Sequence, residues 1–188
     1  MTHRAGLDKA AVVEEAARLV NEEGLEQLSL GRLAERLGVR TPSLYNHVAG
    51  LPGLKRDLAI YCLRELLDRL TRAVIGKARE EAVFGLAAAY RNYAREAPGR
   101  YAFTVGAPAP GDQEWQALAR QNVEIAQAVF APYQLSEEET IHAIRGLRSI
   151  VQGFVSLEMA GGFGIPVDLD ASFHWLIHLL ITGLERNS

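Results

Sequence analysis

Between Ser29 and Val48 the apolar positions form two short helical registers separated by a glycine. Leu30, Leu33, Ala34 and Leu37 stand at i, i+3, i+4 and i+7, one face of a helix, and Ser29 can cap that helix by accepting a bond from a free backbone N–H. Gly38 ends it, because glycine tolerates the left-handed conformation of a helix terminus. Thr41 and Pro42 then open a second helix, the threonine as hydroxyl cap and the proline in the first turn, where its missing N–H costs nothing. The intervening turn is about three residues, the length a helix-turn-helix needs. On the second helix Leu44, Tyr45 and Val48 can pack back on the first, which leaves Thr41, Ser43, Asn46 and His47 facing outward.

The same periodicity extends upstream and downstream. Asp8 is a plausible cap for a first helix with Val13, Ala16, Ala17 and Val20 in one stripe and Gly24 after its last turn. About 50 residues bury little surface alone, so this three-helix unit is expected to lean on the helix that follows. Beyond Leu51 the pattern predicts helices near 52–75, 80–97, 99–105, 113–131, 137–160 and 169–185, divided by Gly76, Pro98-Gly99, the Gly106–Gly111 segment, Pro132 and the Gly161–Pro166 segment. Ser136 to Glu139 reads as a capping box, and Asp112 and Asp168 or Asp170 as caps. No strand is predicted. The expected fold is all-α: a helix-turn-helix domain over 1–51 followed by a helical bundle over 52–188.

The last two predicted helices are apolar nearly all round. Ile141, Ile144, Leu147, Ile150, Val151, Phe154, Val155 and Leu157 point in most directions on one, and Phe173, Trp175, Leu176, Ile177, Leu179, Leu180, Ile181 and Leu184 do so on the other. Helices hydrophobic on every face need cover on every face. Either they form the centre of a monomeric bundle, or a second copy covers their outer side in a twofold four-helix contact. We take the homodimer as the expectation, with Gly146, Ile150, Gly153, Phe154, Leu157, Trp175, Ile177, His178 and Ile181 at the interface.

Charge sharpens the reading of the first segment. The 188 residues carry a formal net charge of -3, yet from Ser29 to Arg56 the basic residues Arg32, Arg36, Arg40, Lys55 and Arg56 stand against Glu35 alone, while Asp8, Glu14, Glu15, Glu22, Glu23 and Glu26 lie before them. A locally basic patch beside small polar side chains suits a DNA groove: hydroxyls and an amide can bond base edges, and arginines can reach phosphates. An ordinary solvated helix face is the alternative. One cysteine in the chain excludes an intramolecular disulfide framework. No apolar leader is visible, and the Ala171–Leu184 stretch is interrupted by His174 and His178 and is shorter than the ~20 residues of a membrane span. A cytoplasmic protein with no membrane partner is expected.

The N-terminal segment resembles the DNA-binding domain of TetR/AcrR-family transcriptional regulators. The resemblance spans Leu7 to about Leu58 and rests on AARLVNEEG, LSLGRLAERLGV and TPSLYNHV. That family commonly places a lysine three residues after the His-Val pair, where it contacts a phosphate; this chain has Leu51, within a Gly50–Gly53 junction of sequence GLPG. Lys55 or Arg56 is the nearest substitute. The C-terminal half, through Arg145–Glu158 and Asp170–Leu184, is similar to the WHG type of ligand domain, with Gln152-Gly153 where that type often has His-Gly. The resemblance implies a dimer through the last two helices and an inducer cavity enclosed by the middle ones.

The residue assignments follow. For DNA they are Arg32, Arg40, Thr41, Pro42, Ser43, Tyr45, Asn46, His47 and Lys55. For a small-molecule inducer, polar and aromatic residues interleaved in apolar helices are the candidates: Tyr90, Tyr93, Tyr101, Phe103, Trp115, Asn122, Arg145 and Gln152. Arg145, Ser149, Gln152 and Ser156 form a polar seam that can line a pocket or serve as a hydrogen-bond ladder. Pockets of this kind favour apolar walls with few polar anchors, so a mainly hydrophobic molecule is expected.

Chemistry is otherwise thin. His174 and His178 stand at i, i+4, but position 175 is Trp and no third zinc ligand is evident. Cys62 reads as a small buried hydrophobe. No nucleophile elbow, phosphate loop or carboxylate pair indicates an enzyme, and no cofactor or metal is expected. The sequence therefore reads as a ligand-responsive transcriptional regulator, most simply a repressor on a palindromic operator. The competing reading is a helical ligand- or protein-binding module that has lost operator recognition.

Overall fold

The computed structural model describes residues 7–185, so the domain limits set at 1 and 188 lie outside the described residues. Among the described residues the chain is helical with no strand: α1 (Lys9–Glu23), α2 (Leu30–Leu37), α3 (Thr41–Leu44), α4 (Gly50–Val74), α5 (Arg79–Glu96), α6 (Pro98–Tyr101), α7 (Gln113–Phe130), α8 (Glu137–Met159) and α9 (Leu169–Glu185). Short 3-10 turns follow α1, α6 and α7. Asp8 accepts from the Ala11 N–H at 2.8 Å, Asp112 from Trp115 at 3.2 Å and Asp168 from Ala171 at 2.8 Å. Ser136 and Glu139 form the reciprocal capping box.

Packing divides the chain differently from a cut after Leu51. One compact unit comprises residues up to Glu65 together with Ala97–Trp115; the other comprises Leu66–Glu96 and the residues from Gln116 onward. The reason lies in the first core. Val12, Ala16, Leu19, Val20, Leu33, Leu44 and Val48 need more apolar cover than three short helices supply, and Leu54, Leu58 and Cys62 of α4 complete it. The segment after α5 joins this unit at backbone level: a Cβ on Gly99 would stand 1.9 Å from the Val20 carbonyl oxygen, so α6 lies against α1 with no side chain between.

In the second unit α5 packs on α8 and α9, which also pack on each other. Phe173, Ile177, Ile181 and Leu184 of α9 face inward with Ala143, Leu147, Val151, Phe154 and Val155 of α8. The outer side keeps large apolar groups in solvent: Trp175 is 61% exposed, Leu157 50% and Leu179 47%.

Candidate nucleic-acid interface

Ser29 caps α2 through the Arg32 N–H at 3.2 Å, and Gly38 closes it in the left-handed conformation, φ 66°. Two details of the second helix differ from the sequence expectation. Arg40, not Thr41, occupies the cap position and makes no side-chain cap bond; Thr41 is the first helical residue. Regular helix ends at Leu44, after which the His47 and Val48 N–H groups both donate to the Leu44 carbonyl, at 2.9 and 3.0 Å, and wind the chain into a tight turn.

Leu44 and Val48 are buried and fix this segment to the first core. Tyr45 does not pack back as the pattern suggested; one residue past Leu44 it lies on the opposite side of the turn, 61% exposed. Asn46 and Pro42 are also exposed, and Thr41, Ser43 and His47 are half-buried. A rigid apolar anchor thus presents a phenol, an amide and a proline edge outward, with two hydroxyls and an imidazole beside them.

The basic patch is largely neutralised, which the linear charge count missed. Arg32 donates to Glu23 at 2.9 and 3.0 Å and to Glu35 at 2.7 Å. Arg36 donates to Glu15, Glu23 and Glu22 at 2.6, 2.8 and 2.8 Å. Folding brings the acidic face of α1 against the basic face of α2, so two segments distinguished in sequence become one ion-pair network. The hydrogen bonds from Arg32 and Arg36 hold the Glu23 carboxyl below the usual glutamate range. Burial pushes Glu15 upward, but the Arg36 and Arg18 bonds outweigh it and leave it lowered. Arg56, a substitute considered for the missing lysine, donates to Asp112 at 2.5 and 2.7 Å and to Glu114 at 3.0 Å, and these bonds lower the Asp112 carboxyl. Leu51 packs half-buried against the first core. Arg40 and Lys55 are exposed and pair with no carboxylate among the described residues.

The inducer candidates divide between the two units. Tyr101, Phe103 and Trp115 belong to the first, and Tyr90, Tyr93, Asn122, Arg145 and Gln152 to the second. Tyr90 donates to the Asn122 amide oxygen. Tyr93 is fully buried with the Arg69 guanidinium 5.0 Å from its ring centre, whereas Arg145 is exposed. Of the proposed interface residues, Phe154, Ile177 and Ile181 are buried inside the second unit and leave the outward set, because they sit at its core-facing spacing. A Cβ on Gly146 would stand 3.7 Å from the Leu180 side chain of the same unit, and Gly146 is half-buried like Ile150; Gly153, Leu157, Trp175 and His178 are exposed. His174 stacks on Phe84, centroids 4.1 Å apart, and His178 Nδ1 lies 3.5 Å from Glu80. Among the described residues no group of three His, Cys, Asp or Glu is placed to hold a metal ion, and no helix is long and apolar enough to cross a membrane.

Arg91, a neighbour of the Tyr90 and Tyr93 candidates in the sequence, is not among the residues the sequence assigns to a site. It is 5% exposed, donates to Glu158 at 2.9 and 2.7 Å and pairs with Asp170 at 2.8 Å. Its signal was present: Val83, Ala87, Arg91 and Ala94 form one helical stripe, and all four are buried.

A capped helix, a left-handed glycine turn and an anchored second helix with an outward polar end define a helix-turn-helix DNA-binding protein. Residues 4–47 match the model for bacterial regulatory proteins of the tetR family, and residues 83–180 the model for the tetracyclin repressor-like C-terminal domain. An uncharacterised HTH-type transcriptional regulator of Mycobacterium tuberculosis, Rv0681, is 37% identical over 98% of this chain and 84% of its own length. YobS of Bacillus subtilis, an uncharacterised regulator of the same type, is 32% identical over 100% of this chain and 98% of its own. Among solved structures, a TetR variant from Acinetobacter baumannii AYE in complex with minocycline aligns with a TM-score of 0.72 at 27% identity, covering 96% of this chain and 97% of that one. The chain belongs to the TetR family of helix-turn-helix transcriptional regulators.

Proposed function

We propose that this protein is a ligand-responsive repressor that holds a pseudo-palindromic operator as a homodimer and releases it when a small, mainly hydrophobic molecule binds. The observation that carries the reading is the second helix-turn-helix segment, where Leu44 and Val48 are buried and Tyr45 and Asn46 stand outward. Ser43, Asn46 and His47 serve as base-edge contacts, with Thr41, Pro42 and Tyr45 against the sugar-phosphate wall. Arg40 and Lys55 supply the phosphate attraction, and Arg32 is assigned instead to the α1–α2 ion-pair network.

Dimerisation uses the outer sides of α8 and α9, where Leu157, Trp175 and Leu179 leave apolar surface in water. Gly153, Ile150 and His178 border it. A twofold pair of recognition segments must meet half-sites about 34–36 Å apart, so a ligand that favours another separation lowers operator affinity without touching DNA. A coupling of about 1–3 kcal/mol would change that affinity roughly 5- to 150-fold. The continuous helix α4 contributes residues to both compact units and serves as the lever. In the second unit Tyr90, Tyr93, Asn122, Arg145 and Gln152 remain the inducer candidates, with Tyr101, Phe103 and Trp115 in the first. The TetR variant crystallised with minocycline supports a ligand of drug-like size.

One observation favours the competing reading. Leu51 spends itself on the first core where family members commonly offer a lysine to DNA, which weakens the grip on phosphate. Binding of the purified protein to duplex from its own upstream region, with salt titration and excess nonspecific competitor, separates the two. Saturable binding at two subunits or a multiple per site is expected; weak, competitor-sensitive binding to that duplex and to a genomic operator selection would leave the ligand-binding module.

A further inference from the structure

Arg91 of α5 is a charged side chain enclosed almost completely by the second unit. Its guanidinium lies over two adjoining rings, 5.0 Å from the centre of Phe154 and 4.8 Å from that of Phe173, and the rings meet edge to face at 5.1 Å. Two of its nitrogens hold Glu158, at the last turn of α8, and the third holds Asp170, at the first turn of α9. A planar, permanently charged fork suits this position, since it binds a carboxylate in two places while stacking on aromatic faces. Arg95, one turn on, stands 3.9 Å from the same Glu158 and 3.7 Å from the same Asp170. The end of one surface helix and the start of the next are therefore fastened to a single buried point.

Those two helix ends wall an open apolar groove of about 540 Å³, lined by Phe154, Leu157, Phe163, Val167, Trp175 and Leu176. Phe154 is common to both, with the Arg91 cation over its ring and its centre 4.9 Å from that of the tilted Phe163 ring in the connecting loop. We propose that Arg91, with Glu158 and Asp170, is a positioning residue for self-association: it fixes the spacing of the α8 end and the α9 start so that the outward apolar face is preformed before a second copy meets it. The inference rests on the dimer reading above. A preformed face binds more tightly than one that must be ordered on contact, because the ordering no longer subtracts from the binding free energy.

The test is the dimer dissociation constant of the full chain, from sedimentation velocity over a dilution series, for wild type, Arg91→Lys, Asp170→Asn and Asp170→Glu. Lysine keeps the charge and loses the fork, so Arg91→Lys raises the constant roughly tenfold or more, the effect of a lost charged hydrogen bond. Asp170 is exposed, so Asp170→Asn folds even if the Arg91 variant does not; it weakens the dimer about threefold, and Asp170→Glu restores it. Val83→Ala, a buried truncation on the same helix, lowers thermal stability without changing the constant and controls for general loosening. Dimers of unchanged strength in folded Arg91→Lys and Asp170→Asn overturn the positioning role alone. A wild type that stays monomeric at every concentration overturns the dimer reading and this role with it.

Discussion

The ion-pair network between α1 and α2 makes a sharp distinction between two arginines that look equivalent in sequence. Arg32 has Nε and Nη2 committed to Glu23 and Nη1 to Glu35, so a phosphate would have to displace two carboxylates to gain one contact. Arg40 stands exposed at the cap position of α3, with no carboxylate paired to it among the described residues. Each phosphate neutralised adds about 0.9 to the slope of log affinity against log salt, so one Arg40 per protomer contributes ~1.8 in a dimer. Removing it with Arg40→Ala should flatten the slope by that amount and shrink the affinity loss between 50 and 200 mM salt by roughly 12-fold. Arg32→Gln should leave the slope within about 0.3 of wild type. Fluorescence anisotropy of a labelled operator duplex at five salt concentrations measures both. An Arg32→Gln slope as flat as that of Arg40→Ala would refute the claim that the carboxylates hold Arg32 away from DNA.

Further expectations concern the anchor, the outer helix face, base reading and acid. Leu44 is fully buried beneath the recognition segment, so Leu44→Ala should cost about 2–5 kcal/mol in urea unfolding and abolish operator binding at temperatures where the rest stays folded. Trp175, 61% exposed on α9, should tolerate Asp as a monomer: Trp175→Asp leaves thermal stability of the dilute protein near wild type but gives a single slow-sedimenting species at all concentrations. Asn46→Ala should relax sequence preference in a competition of operator variants while leaving the salt slope unchanged; an unaltered preference would remove Asn46 from base reading. Glu15 and Glu23 have folded pKa values below the ordinary 4.5, and Asp112 below 3.8. Their contribution is present above those values and is lost as pH falls through the lowered folded ones, so unfolding monitored by circular dichroism should show stability declining from about pH 4.5 downward, and Glu23→Gln should soften that decline.

The periodicity of Leu30, Leu33, Ala34 and Leu37, the Ser29 and Gly38 punctuation and the capping box at Ser136 were legible because each is a local device whose cause lies within a few residues. What escaped was long-range. Glu15, Glu22 and Glu23 meet Arg32 and Arg36 only after α1 and α2 pack, and no charge count along the chain contains that meeting. Tyr45 sits one position from buried Leu44 and three from buried Val48, and a four-residue helix that unwinds into a turn breaks the 3.6-residue rule that places it inward. Phe154, Ile177 and Ile181 read as interface residues in the sequence because a helix apolar on all sides offers no contrast from which to choose its face.

The contact of Gly99 with the Val20 carbonyl bears on how mutations in this gene would be classified. Any side chain at position 99 meets backbone at 1.9 Å, and α1 would have to shift together with the helix-turn-helix packed on it. A genetic screen for derepressed colonies should therefore return Gly99 alleles alongside those of Tyr45 or Asn46. They would be scored as operator-blind although residue 99 lies far along the chain from the reading segment, and second-site suppressors should map to α1.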